Sequence, residues 1–78
     1  MSQKIIRLPA VLAFSGLSRS LTYLYISKGL WPKPVSLGAR AVGWPEHEII
    51  AMNTARIAGQ SNHEIQELVN KLEASRKG

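Results

Sequence analysis

Apolar residues along this chain recur with a period that changes from block to block, and each change marks an element. Leu8, Val11 and Leu12 lie at i, i+3, i+4 and predict a first helix from Leu8 to Phe14. Pro9 suits its first helical position, where no intrahelical N–H bond is lost. Ser15-Gly16 ends this helix, because Gly16 can take positive φ. Ser18 is then an N-cap for a second helix that runs to about Lys28. Leu17, Leu21, Leu24 and Tyr25, at i, i+4, i+7 and i+8, predict its buried stripe. Arg19, Ser20, Thr22 and Tyr23 fall largely on the other sides of the wheel. Two helices separated by so short a turn read as a helix-turn-helix.

The period then shortens. Gly29 stops the second helix, and Pro32 and Pro34 forbid its resumption. Val35 and Leu37 alternate, as do Val42 and Trp44, with Gly38-Ala39-Arg40 between them. This predicts a small basic hairpin with one face on the core. Gly43 within its second strand marks a bulge or a close backbone approach. Trp31, Trp44 and Tyr25 read as core or hinge packing. Helical spacing returns at Pro45-Glu46-His47-Glu48, which opens a third helix carrying Ile49, Ile50, Met52 and Ile57 and stopped by Gly59. Ser61 and Glu64 have the capping-box spacing, and Ile65, Leu68, Val69 and Leu72 follow at i, i+3, i+4, i+7. Met1 to Arg7 reads as a frayed lead and Ser75 to Gly78 as a frayed basic tail. The division is a mainly α unit with a small β-hairpin over residues 1–59, and an amphipathic helix with a basic tail over residues 60–78. That last helix is expected to dock between the first and third helices; self-association is the alternative use of its apolar stripe.

Charge sharpens the picture. The chain has 78 residues and a formal net charge of +5, with a pI of about 10.1. Residues 1–45 hold six Lys/Arg (Lys4, Arg7, Arg19, Lys28, Lys33, Arg40) and no Asp or Glu. All five acids (Glu46, Glu48, Glu64, Glu67, Glu73) come later. The positive field therefore sits on the helix-turn-helix and hairpin, which favours a polyanionic partner. No apolar run approaches the roughly 20 residues of a membrane span, so no membrane partner is expected. The absence of Cys removes disulfides and thiolate metal sites and fits a reducing cytosol.

Enzymatic chemistry finds little support. His47 and His63 are distant in sequence and, without Cys, make no metal cluster. Glu46 and Glu48 are two apart on a helix and do not face each other. Ser15, Ser18 and Ser20 lack an elbow pattern, and the glycines lack phosphate-loop spacing. No catalytic residue, metal or cofactor is expected. A helix tip beside a basic ribbon is instead a DNA-reading geometry. Ser18 caps the helix whose first N–H groups are unpaired. Arg19 there can reach a guanine edge bidentately or a phosphate. Ser20 can donate to phosphate, and Thr22 or Tyr23 can touch base methyls, edges or backbone. Arg40 at the hairpin tip can enter a minor groove or clamp its phosphates. Lys28 and Lys33, flanking the Pro-rich break, suit non-specific phosphate contact.

A set of these residues also resembles a known family. Arg7-Leu8-Pro9, Gly16-Leu17-Ser18-Arg19-Ser20, Lys28-Gly29, Trp31-Pro32-Lys33-Pro34-Val35, Leu37-Gly38, Arg40-Ala41-Val42 and Trp44 are similar to the AlpA family of phage and mobile-element regulators. The likeness extends from Arg7 to about Ile57. Leu21-Thr22-Tyr23 departs from the family's usual order of Thr, an aliphatic residue and Tyr. Leu24 stands where a basic residue is common, and Met52 where Trp is frequent. The resemblance implies a winged helix-turn-helix related to the MerR and excisionase folds. It implies a sequence-specific DNA-binding regulator of a prophage or mobile element, controlling transcription, for example of an integrase. An excisionase, or recombination directionality factor acting architecturally at attachment sites, is the alternative. A small protein-interaction module is the alternative of another class. The expected partners are double-stranded DNA, then an integrase or RNA polymerase, and further copies of the chain as a homodimer or a cooperative assembly on DNA. The expected location is the cytoplasm, on the nucleoid.

Overall fold

The computed structural model describes residues 4–76. Its elements run β1 (Ile5–Arg7), α1 (Leu8–Ser15), α2 (Arg19–Ser27), β2 (Val35–Ser36), β3 (Val42–Pro45), α3 (Glu46–Ile57) and α4 (Asn62–Ser75). Four helices accompany a three-stranded antiparallel sheet of order β1-β3-β2, on which α1 and α3 pack. This is a mainly helical winged helix-turn-helix in which α1 and α2 make the helix-turn-helix and β2–β3 the wing.

The helix-turn-helix forms where turn chemistry and capping agree. Pro9 lies in the first turn of α1, and Gly16 closes the helix at φ 74° with its N–H on the Leu12 carbonyl, 2.9 Å. Positive φ costs glycine nothing, so the chain can reverse within three residues. Ser18 caps α2, its hydroxyl accepting the Leu21 N–H at 3.1 Å. The inward face of α2 differs from the sequence expectation. Leu24 is 46% exposed, whereas Thr22 is fully buried among half-buried Leu21, Tyr25 and Ile26. Thr22 can occupy the inner face because its hydroxyl donates to the Ser18 carbonyl at 2.9 Å and brings no unmet polar group with it.

The N-terminal lead is also more than a frayed end. Ile5, Ile6 and Arg7 pair with Pro45, Trp44 and Gly43 and add a third strand to the hairpin. Residues 1–3 lie outside the described residues, so the expectation of fraying concerns them only in sequence. Two β-branched residues suit this strand, and the edge of β3 would otherwise be unpaired. Gly43 is the meeting point, opposite Arg7 on one side and Val35 on the other. A Cβ there would stand 2.6 Å from Ile5 Cγ2, 3.0 Å from the Ile6 carbonyl oxygen and 3.2 Å from Leu37 Cδ1. The glycine thus marks the close backbone approach anticipated from its place in the strand.

The core joins all layers. Val11, Leu30, Trp31, Trp44, Ile49, Met52, Ala55, Ile65 and Val69 form one buried cluster. Trp44 is wholly buried and donates its indole N–H to the Pro32 carbonyl at 2.8 Å, which ties the wing to the Pro-rich break. Ile50 and Ile57 point outward, at 47% and 87% exposure, so α3 packs through Ile49, Met52 and Ala55 instead. The apolar stripe of α4 packs within the chain. Its neighbours are α3 and the segment after α2, rather than a slot between α1 and α3: Gln66 donates to the Lys28 carbonyl at 3.0 Å, and Glu73 accepts the Lys33 N–H at 2.8 Å.

The end of α4 carries a contact the sequence reading did not foresee. Glu48, in the first turn of α3, is completely buried. Arg76 meets it bidentately, Nε to Oε2 at 2.8 Å and Nη2 to Oε1 at 2.6 Å. The same Nη2 donates to the Lys33 carbonyl at 2.7 Å. The carboxylate beside it holds the Arg76 guanidinium above its ordinary pKa. Arg76 therefore belongs to the fold rather than to a frayed tail; Lys77 and Gly78 lie outside the described residues.

Two outcomes follow from this packing. Arg76→Ala leaves the Glu48 charge buried and unpaired and is expected to cost about 3–5 kcal/mol in urea denaturation. A loss below 1 kcal/mol there would show that Glu48 finds water or another partner. The second outcome concerns α4, whose start has a complete capping box: Ser61 Oγ accepts the Glu64 N–H at 3.2 Å, and Glu64 Oε1 accepts the Ser61 N–H at 2.9 Å. Those bonds from Ser61 hold the Glu64 carboxyl below its usual range. A lowered folded pKa stabilises above the unfolded pKa, and the contribution disappears as pH falls through the folded value. Carbon-13 titration of the Glu64 carboxyl is expected to show a depressed midpoint, with protection of the Ser61 amide lost over the same range. An ordinary midpoint would mean that the box does not persist in solution.

Candidate nucleic-acid interface

The candidate surface forms where three separate elements bring cations to one place. Arg19 and Ser20 are the first two residues of α2 and both are exposed. Their position follows from the Ser18 cap, since the capping side chain takes one of the orphan N–H groups and leaves the first amides directed outward. There is no acid in the first turn of α2. Its N-terminal end therefore adds the partial positive charge of the helix dipole to that of Arg19.

The wing supplies the second cation. The Leu37 N–H donates to the Ala41 carbonyl at 2.7 Å and closes a tight loop with Arg40 near its tip. Arg40 is exposed. Arg19, Tyr23 and Arg40 line one open depression of about 340 Å³ between α2 and the wing. Tyr23 is 40% exposed there, while Tyr25, two residues on, is half-buried with the Arg56 guanidinium 4.7 Å from its ring centroid. The periodicity that gives the inner role to Tyr25 thus leaves Tyr23 on the open face.

A third cation in the same depression is Arg7, which the sequence reading placed in the lead and outside the site. Its strand position opposite Gly43 brings it there. The signal in the sequence was the acid-free run that contains it, but no local pattern showed that residues 5–7 pair with the wing. Among the described residues, Arg7, Arg19 and Arg40 make no salt bridge and no side-chain hydrogen bond to the protein.

The remaining expected residues separate into different positions. Ser18 is occupied as the helix cap, and Ser20 stays open beside Arg19. Thr22 is enclosed and its hydroxyl is used by the Ser18 carbonyl, so it positions α2 and presents no surface. Lys28 lies at the opposite end of α2, nine residues on, which is roughly 13 Å along a helix axis. Lys33 is exposed, but its backbone is held by Glu73 and Arg76 at the end of α4. The two lysines therefore do not join the arginine depression.

No group of three His, Cys, Asp or Glu among the described residues is placed to hold a metal, and no helix is long and apolar enough to cross a membrane. The arrangement is suited to an anion. It has three guanidiniums, each a planar fork of donors, beside unpaired helix amides and away from carboxylates.

The family model described as Prophage CP4-57 regulatory protein (AlpA) matches residues 4–52, from the start of the described chain through the helix-turn-helix and wing into α3. The uncharacterized protein ORF88 of Enterobacteria phage P4 is 43% identical over 58 residues, which is 74% of this chain. The match spans 66% of that relative, just under two thirds of its length. No solved structure matches the chain. The chain belongs to the AlpA family of prophage regulatory proteins.

Proposed function

We propose that this protein is a sequence-specific DNA-binding regulator of a prophage or mobile element, and that it controls transcription, for example of an integrase gene. The observation that carries this reading is the meeting of Arg19, Tyr23 and Arg40 in one depression between the start of α2 and the wing. In such a module the start of the second helix enters the major groove and the wing approaches the flanking minor groove. Arg19 is the candidate base-reading residue, with Ser20 on phosphate and Tyr23 on a base edge, methyl or backbone. Arg40 is the candidate minor-groove residue, attracted by the stronger negative potential of narrow A·T-rich grooves. The net charge of +5 supports rapid, salt-dependent capture of duplex DNA. Lys28 and Lys33, remote from the arginines, contribute to that general field rather than to recognition.

The protein builds one core shared by the wing, α1, α3 and α4. It acts by occupying a site, by bending it, or by touching a polymerase or recombinase through an exposed face. Regulation of transcription needs only a site near a promoter. Excision requires several copies on adjacent attachment sites and curvature of the DNA between them.

Arg19→Ala is expected to reduce discrimination between cognate and scrambled duplex by about 1–3 kcal/mol in gel-shift titrations. Equal losses on both duplexes would make Arg19 a phosphate contact. Arg40→Ala is expected to lose affinity mainly on sites with A·T-rich flanks, and unchanged affinity there would remove it from the interface. The biological role is tested by mapping occupancy on the host genome. Binding at a promoter, with that transcript altered on deletion, is the expected result. Occupancy confined to an attachment site, with excision lost and transcription unchanged, would make the protein an excisionase. No binding to any duplex at low salt would leave a protein-interaction module.

A further inference from the structure

Arg7 is the residue of the depression that neither the helix-turn-helix nor the wing accounts for. It ends β1, and its side chain makes no cap for α1 although it occupies the N-cap position. It is exposed, and it has no ion-pair partner among the described residues. It lines the same depression as Arg19 and Arg40, and no acid shares that lining. Three like charges in one open concavity repel one another, and no acid among the described residues pairs with them. An anion brought from outside relieves that repulsion.

The rest of the lining narrows the kind of anion. Between the arginines stand Leu8, Pro9, Val42 and the ring of Tyr23. A small inorganic anion would leave these apolar surfaces uncovered. A sugar–phosphate strand presents both kinds of surface at once, with deoxyribose carbons alternating with phosphate oxygens. The position is consistent with this. If the start of α2 lies in the major groove and Arg40 in the minor groove, the surface between them passes over the strand that separates the two grooves. Arg7 is held at that place by its pairing with Gly43 of the central strand, so it moves with the wing and not with a loose tail.

We propose that the depression between α2 and the wing seats one sugar–phosphate strand of duplex DNA, and that Arg7 is a phosphate-contacting residue of this seat. The proposal rests on the DNA-binding reading above. Arg7 carries no sequence information in it. It sets the spacing between the helix in one groove and the wing in the next, so that Arg19 and Arg40 reach their own groove in register.

The test is a gel-shift titration of wild type, Arg7→Ala and Arg7→Lys on cognate and scrambled duplexes over a series of salt concentrations. Arg7→Ala is expected to weaken both duplexes alike, by roughly 5- to 10-fold at 0.1 M salt, and to reduce the salt slope by about 1. Arg7→Lys is expected to keep the slope. Ethylation interference on the wild-type complex is expected at phosphates between the two grooves, with one of these positions becoming insensitive in Arg7→Ala. The thermal melt of Arg7→Ala controls for the fold; Arg7→Gln, which keeps the aliphatic stem, replaces it if the melt falls. Wild-type binding with unchanged affinity and slope in Arg7→Ala overturns the seat but leaves the DNA reading intact. A loss confined to the cognate duplex also overturns it, by making Arg7 a base-reading residue. Failure of the wild type to bind either duplex overturns the DNA reading itself.

Discussion

A carboxylate with no access to water ties the start of α3 to the end of α4. Glu48 lies one turn after the wing's last strand and would be unstable there without its bidentate partner, Arg76. The guanidinium is the stronger choice for this task, because its fork matches both carboxylate oxygens and still spares a donor for the Lys33 carbonyl. One ion pair thus joins the start of α3, the end of α4 and the segment leading into the wing. A buried pair of this kind adds little net stability compared with a well-packed apolar alternative. Its effect is on arrangement, since any register of α4 that separates Arg76 from Glu48 strands a charge.

The wing depends on a different constraint, the absence of a side chain at Gly43. The β1 and β2 strands both pair with β3 there, and the nearest atoms would overlap any Cβ. Trp44, the next residue, turns to the opposite face and reaches the core. The sheet is therefore clamped from both sides at adjacent positions, by close strand contact at Gly43 and by indole burial at Trp44. A hairpin this short would be marginal alone. With β1 added and Trp44 bonded to the Pro32 carbonyl, it becomes a fixed projection from the helical body.

That rigidity matters for the cationic surface. Arg7, Arg19 and Arg40 come from a strand, a helix start and a wing loop, so their mutual placement depends on the sheet being held against the helix-turn-helix. Bringing three guanidiniums together without a carboxylate is unfavourable in the free protein, and their exposure to water weakens that repulsion. The acids are used elsewhere: Glu48 inside the fold, Glu64 at the cap of α4, and Glu73 on the Lys33 amide. The division of charge seen along the chain is thereby preserved as a division of task in the folded molecule.

Local rules by themselves determined most of the elements. Gly16, Ser18, Gly29, Ser61 and Glu64 act through bonds to near neighbours, so the turn, the cap of α2, its end and the capping box were legible from spacing alone. Membership of the AlpA family was legible from motifs spread over the helix-turn-helix and wing, the hairpin around Arg40 from residues close together in sequence, and the core role of Trp44 from its large apolar ring. Tertiary structure decided what depends on distant partners. The pairing of Ile5–Arg7 with β3 crosses nearly forty residues of chain, and it turned a presumed lead into a strand and Arg7 into a neighbour of Arg19 and Arg40. The rotation of α2 that hides Thr22 and exposes Leu24 was likewise hidden, because a threonine that bonds its own helix carbonyl can be buried as readily as a leucine. The Glu48–Arg76 pair was the least legible of all. A charge at a helix start and a charge in a terminal tail each look solvated in sequence, and only the packing of α4 on α3 removes the water between them.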